Sequence, residues 1–182
     1  SENNQPIRIL DIASGHGRYI LDAAQQLPQL PNSVLLRDYS EINVKAGQQM
    51  IQERGLEHIA QFVQADAFDT QSIASIDPRP TLGVVSGLYE LFSDNDLLRR
   101  SLNGLSQAIE KNGYLIYTGQ IWHPQQEFIA RALTSHREGD AWVMRLRSQA
   151  EMDALVEAAG FKKVDQNIDD FGIFTVSVAQ KL

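Results

Sequence analysis

The stretch IRILDIASGHGRYIL, residues 7–21, decides how the rest of the chain is read. A short apolar run, Ile7–Ile12, carries an acid near its end, Asp11, and a Ser-Gly-His-Gly turn follows. Apolar residues then return at helical spacing (Ile20, Leu21, Ala24, Leu27) and stop at Pro28. Strand, small-residue turn and helix in that order open a βα unit. Such a turn cradles a phosphate, holds a dinucleotide or another cofactor, or is simply a tight corner.

The same pattern repeats downstream. Val34–Leu36 reads as a second strand ending at Asp38, after which Ser40 caps a helix closed by Gly55. Ile59–Val63 is a third strand, followed by Asp66-Ala67-Phe68, and Leu82–Val85 a fourth, followed by Ser86-Gly87-Leu88-Tyr89-Glu90. A helix from about Asp94 places Leu97, Leu98, Leu102, Leu105 and Ile109 on one side before Gly113, and Tyr114–Tyr117 is a fifth strand. Ser148-Gln149-Ala150-Glu151 is a capping box for a helix that ends at Gly160. Phe161–Ile168 and Phe171–Ala179 are joined by a short Asp-Asp turn. Parallel neighbours need a dozen or more connecting residues, so this last pair is an expected antiparallel hairpin. The predicted architecture is α/β: five βα units on a mostly parallel seven-stranded sheet, closed by that hairpin. The polar residues 1–6 read as a disordered lead-in, and residues 7–182 as one domain.

Composition narrows the function classes. A chain of 182 residues supports one domain with a sizeable core. With no cysteine, a disulfide framework, a thiolate metal site and a cysteine nucleophile are excluded, which suits a reducing, cytoplasmic setting. A net charge of −7 disfavours nucleic acid as a partner, because such binding relies on Lys and Arg at phosphates. No membrane span and no secretory signal pattern are found.

In an open α/β sheet, ligands bind beyond the carboxyl ends of the strands. Asp11, Asp38, Asp66 and Ser86–Glu90 all fall there. Any one Asp after a strand is commonly a turn or cap residue. Three, one per successive strand and expected in register, are better explained by a ligand lying across the sheet edge. A P-loop is excluded because no G-K-[ST] follows the turn. A dinucleotide turn, G-x-G-x-x-G, lacks its third glycine, since Gly15-His16-Gly17 continues Arg18-Tyr19-Ile20. The anionic Asp11 would also repel a pyrophosphate. A ligand with an ammonium near Asp11 and a ribose diol near Asp38 suits both charges.

LDIASGHGRY, RDYS, QADAFD and VVSGLYELF together resemble the ordered motifs of the class I S-adenosylmethionine-dependent methyltransferases, from Ile7 to Leu182. The resemblance implies a Rossmann-like three-layer sandwich and S-adenosyl-L-methionine as cofactor. It also implies roles: backbone at Ala13, Gly15 and Gly17 against the methionine and ribose, Asp11 toward the ammonium, Asp38 on the ribose hydroxyls and Tyr39 beside the adenine. Asp66 would accept from the adenine amino group, flanked by Ala67 and Phe68, and Ser86, Gly87 and Leu88 would line the reacting end. Ala13 departs from the motif by replacing its usual first glycine. Tyr117–Phe161 is similar to the methyltransferase domain fused behind an α/β-hydrolase domain in some bacterial bifunctional proteins, which implies a fused upstream hydrolase and a domain excised from a longer chain.

On the acceptor side, Glu90, Tyr89 and His123 are candidates to assist a nucleophile. Each has a plainer reading: helix-start carboxylate, pocket wall and, for His123, a cap-region residue before an amphipathic helix that starts at Pro124 with Phe128, Ile129 and Leu133. Residues 122–147 read as a substrate-side insertion carrying Trp122, Trp142, His136, Arg137, Arg145 and Arg147. These either hold an anionic or amphiphilic acceptor, such as a lipid headgroup or carboxylate, or simply cover the sheet with the arginines solvated; the acceptor overall is expected to be a small molecule or lipid. Two rival functions stay open, a cofactor-binding regulatory module without chemistry of its own and a NAD-dependent dehydrogenase.

Overall fold

The structure, a computed structural model, describes residues 6–133 and 143–182. The expected lead-in therefore lies outside the described residues except for Pro6, and so do His136, Arg137 and Trp142 of the insertion.

Seven strands form one sheet: β1 (Arg8–Ile12), β2 (Ser33–Asp38), β3 (Ala60–Gln64), β4 (Leu82–Val85), β5 (Tyr114–Gln120), β6 (Phe161–Ile168) and β7 (Phe174–Lys181). Their spatial order is β3-β2-β1-β4-β5-β7-β6. The first five are parallel, and β7 inserts antiparallel between β5 and β6. The predicted architecture is the observed one. The order reverses between β1 and β4, which opens a crevice at their carboxyl ends.

Alternate residues of β1 feed two cores. Leu10 and Ile12 pack with α3 (Thr70–Ala74), α4 (Asn95–Ala108) and α6 (Gln149–Ala158) through Ile73, Leu98, Leu102 and Val156. Ile9 packs with α1 (Arg18–Gln26) and α2 (Glu41–Glu53) through Leu21, Ala24, Val44 and Ile51. Helices thus cover both faces, as a parallel sheet buried on both sides requires. The caps fall where the sequence places them: Ser40 Oγ accepts from the Asn43 amide, and Ser148 Oγ from the Glu151 amide.

Three local readings change. β5 runs to Gln120 rather than Tyr117, because Thr118, Gly119 and Gln120 pair with Val176, Thr175 and Phe174 of β7. The hairpin turn is longer than the Asp-Asp pair: Asp169 Oδ1 accepts from the amides of Ile173 and Phe174, so β7 starts at Phe174. The amphipathic helix expected from Pro124 is α5 (Gln126–Ala132); it buries no residue, and Phe128 and Leu133 are exposed.

Gly17, at the junction of turn and α1, has φ +72°, and a Cβ there would meet Leu36 Cδ1 at 2.5 Å. Gly17→Ala is therefore expected to cost about 2–4 kcal/mol, from left-handed backbone strain plus overpacking. Urea unfolding followed by circular dichroism checks this.

Candidate active site

The turn after β1 is stitched to the end of β2 by four bonds. Ser14 N donates to Arg37 O at 2.9 Å, and Ser14 Oγ donates to the same carbonyl at 3.0 Å. Arg37 N donates back to Ser14 Oγ at 3.1 Å, and Gly15 N donates to Asp38 Oδ2 at 2.9 Å. This fastening holds Ala13, Gly15 and Gly17 at φ +57°, +58° and +72°. Glycine adopts such values freely, whereas Ala13 pays strain there.

The three strand-end carboxyls are staggered, which corrects the expected common level. Asp11 is level with Leu36, so Asp38 lies two residues further out; Asp38 is level with Gln64, so Asp66 lies two further again. Each step is about 7 Å along a strand. Exposure follows the steps: Asp11 is 0% exposed, Asp38 8%, and Asp66 is exposed.

Asp11 Oδ2 accepts from Tyr19 Oη at 2.7 Å, while Asp11 Oδ1 is buried with no hydrogen-bond partner among the described residues. Burial pushes the Asp11 carboxyl up to about 7, with the Tyr19 hydroxyl opposing and the Asp38 charge adding. Asp38 Oδ1 accepts from Ser40 N and Asn43 Nδ2 at 2.9 and 3.0 Å. Asp66 Oδ1 accepts from Phe68 N at 2.8 Å, closing a turn around Ala67. Tyr39 is 77% exposed beside Asp38. Gly15 and Gly87 face open space where a Cβ would begin, and the first turn of α1 has no side-chain cap. Ser86 is half-buried and Leu88 buried; Gly87 N donates to Thr118 Oγ1 at 2.9 Å, joining the exit of β4 to β5.

A second, shallow pocket, open to solvent, lies beyond β4 and β5, lined by Glu90, Thr118, Gln120 and Arg147 among others. Glu90 is 8% exposed, and burial raises its carboxyl above the usual range. Tyr89 contributes to the wall, but its hydroxyl donates to Ser101 Oγ at 3.0 Å inside the core. His123 is not among the lining residues; its Nδ1 accepts from Gln125 N at 3.1 Å, the cap-region role. Arg147 donates to the carbonyls of Tyr89 and Phe92 and to Asn95 Oδ1, and Arg145 to Ser93 O and Glu151 Oε1. Trp122 is half-exposed, and its Nε1 donates to Gly172 O in the hairpin turn. The structure thus assembles Asp11, Ala13, Gly15, Gly17, Asp38 and Tyr39 around one turn, with Asp66–Phe68 beside it and Ser86–Glu90 across the switch point.

Four contributors escape the sequence reading. Ser14, Tyr19 and Arg37 act through contacts across the turn that spacing does not reveal. Gln120 is a polar residue ending an apolar strand, and a longer β5 would have drawn the same attention to it as to Asp38.

A family model described as "Putative methyltransferase" matches residues 1–181. The chain belongs to this methyltransferase family. It is 57% identical over 173 residues to the Escherichia coli K12 protein YnbC, which is described as uncharacterized; the match covers 95% of the chain and 29% of that protein's length. An S-adenosylmethionine-dependent methyltransferase from Methanosarcina mazei shares the fold, with TM-score 0.74 and 18% identity over 99% of this chain and 94% of that one. So does magnesium protoporphyrin IX methyltransferase from Synechocystis PCC 6803, solved with SAH, at TM-score 0.72 and 15% identity over 99% of this chain and 76% of that one. At such identities these two likenesses establish this methyltransferase domain's fold alone.

Two outcomes follow from the turn of this methyltransferase. Ala13→Gly is expected to raise stability by about 1 kcal/mol, since strain relief exceeds the added freedom of the unfolded chain; urea midpoints measure it. The Asp11 carboxyl binds more protons folded than unfolded between its unfolded value of 3.8 and about 7, so its contribution to stability falls as pH rises through that window. Stability of the isosteric Asp11→Asn relative to the parent is accordingly expected to improve between pH 4 and 8, by roughly 4 kcal/mol at most. Paired denaturation curves across that range give the difference directly.

Proposed function

We propose that this domain transfers a methyl group from S-adenosylmethionine to a small-molecule or lipid-like acceptor. The observation that carries the reading is Asp11: a fully buried carboxyl with an unpaired oxygen beside the uncapped start of α1. An ammonium satisfies that oxygen, and a carboxylate suits the helix N-terminus, so the pair fits the zwitterionic end of an amino acid. Farther out, Asp38 retains acceptor capacity for a ribose hydroxyl after its three internal bonds. Tyr39 offers a ring for the adenine, and Asp66 with Ala67 and Phe68 completes that end. Ala13, Gly15 and Gly17 bring the backbone close, while Ser86, Gly87 and Leu88 line the reacting end.

S-adenosylmethionine, when bound, supplies an activated methyl group, so the protein's task is to position and desolvate. Glu90 is the preferred proton acceptor, because it is buried in the pocket beyond β4 and burial raises its carboxyl. Tyr89 walls that pocket, and His123 orders the entry to α5. We further propose that the domain works behind an α/β-hydrolase domain. The likeness of Tyr117–Phe161 to such fusions supports this, and the chain's coverage of less than a third of YnbC leaves room for a further domain. A nicotinamide cofactor is disfavoured, since buried Ile20 occupies the place of the third glycine.

Calorimetry is expected to show S-adenosylmethionine binding that weakens about tenfold or more in Asp66→Ala, the loss of a charge-assisted hydrogen bond, with circular dichroism unchanged. Unaltered affinity in both Asp66→Ala and Asp38→Ala would defeat the assignment, and preferential binding of NAD would replace it. Because a cation needs Asp11 ionised, affinity is also expected to fall as pH drops below about 7.

A further inference from the structure

The pocket beyond β4 and β5 contains an acceptor that the protein leaves empty. Gln120 is 5% exposed, and its Oε1 is buried with no hydrogen-bond partner among the described residues. Leaving such an atom unpaired costs about 1–3 kcal/mol, so a native fold retains it where a ligand or water completes it. The neighbouring guanidinium groups point elsewhere: Arg147 and Arg145 are bonded to protein carbonyls, Asn95 and Glu151. Glu90, itself 8% exposed, lines the same pocket and adds a second acceptor.

Two buried acceptors in one small pocket select the ligand by its donors. A carboxylate or phosphate meets the Glu90 carboxylate whichever way the Gln120 amide is oriented, and with Oε1 turned to it has no hydrogen to give. The arginines, which the sequence suggested for an anion, are turned to the protein. A hydroxyl donates and accepts, so it satisfies the Gln120 amide whichever way the amide is oriented.

We propose that Gln120 and Glu90 together bind the methyl acceptor, and that this acceptor is a neutral molecule presenting two neighbouring hydroxyl groups rather than an anion. The assignment rests on the methyl-transfer reading above and names the substrate class of that site. Gln120 is the specificity-determining residue, absent from the cofactor turn.

Saturation-transfer NMR with catechol, 1,2-dimethoxybenzene and benzoate tests this, since the three share a ring and differ in donors and charge. Catechol is expected to bind the parent protein, with the diether and benzoate weaker by about fivefold or more, as loss of one net hydrogen bond dictates. The catechol signal is expected to fall by about the same factor in Gln120→Leu. No catechol binding, equal binding of benzoate or the diether, or a catechol signal indifferent to Gln120→Leu would each overturn the proposal. The ranking in the parent holds even if the variant fails to fold. S-adenosylmethionine affinity, measured separately by calorimetry, is expected to stay within about twofold in Gln120→Leu, because the variant removes no contact of the β1 turn. Loss of cofactor binding in the parent would refute the methyl-donor reading; loss of the catechol ranking alone would refute only this pocket.

Discussion

The joint between the β1 turn and the end of β2 is the constraint on which the site depends. Three left-handed residues in five positions, one of them an alanine, are an unfavourable way to run a chain. What holds them is the exchange between Ser14 and Arg37, with the Gly15 amide fixed on Asp38. Ser14 Oγ both donates to and accepts from the Arg37 backbone, extending the β1–β2 ladder by one residue through a side chain. A thiol in its place would be a much weaker partner. From the same joint α1 begins, and its first turn sets Tyr19 against Asp11.

Arg37 carries the constraint one strand further. Its side chain crosses to Ser72 in α3, donating to the carbonyl and hydroxyl oxygens, and its charge faces Asp66 and Asp69. The loops after β1, β2 and β3 are therefore fastened in sequence, and the three carboxyls keep their stagger from a fully buried Asp11 to an exposed Asp66. Across the switch point the fastening is separate. Arg147 grips the turn after β4 by the carbonyls of Tyr89 and Phe92, and Thr118 holds Gly87. Burial lowers the Arg147 guanidinium from its ordinary value, with Arg145 adding. The two sides of the switch point thus rest on different networks, which lets one vary without dismantling the other.

Much of this was legible in the sequence. Apolar runs and their spacing revealed five parallel strands and the hairpin, because burial on both faces leaves near-continuous apolar runs and the connection lengths separate crossovers from a hairpin. The glycines and acids at strand ends marked the crevice at the switch point, since left-handed turns need specific residue types. Contacts between distant strands were not legible. The length of β5 depends on β7, so Gln120 lay beyond the strand as read from local pattern. The stagger of Asp11, Asp38 and Asp66 is a matter of register, which spacing within one strand cannot express. Tyr89 and His123 looked equivalent to Glu90 by position, and only their partners separate them: one hydroxyl is bonded into the core and one imidazole is committed to a cap.

The central claim is that the crevice between β1 and β4 receives an adenosyl amino acid. Titration of isotope-labelled protein with S-adenosylhomocysteine, followed by amide chemical shifts, tests it most directly. The largest changes are expected at Gly15, Gly17, Tyr39, Ala67 and Gly87, on both sides of the switch point. Changes confined to other amides, or the same set produced equally by NAD, would contradict it.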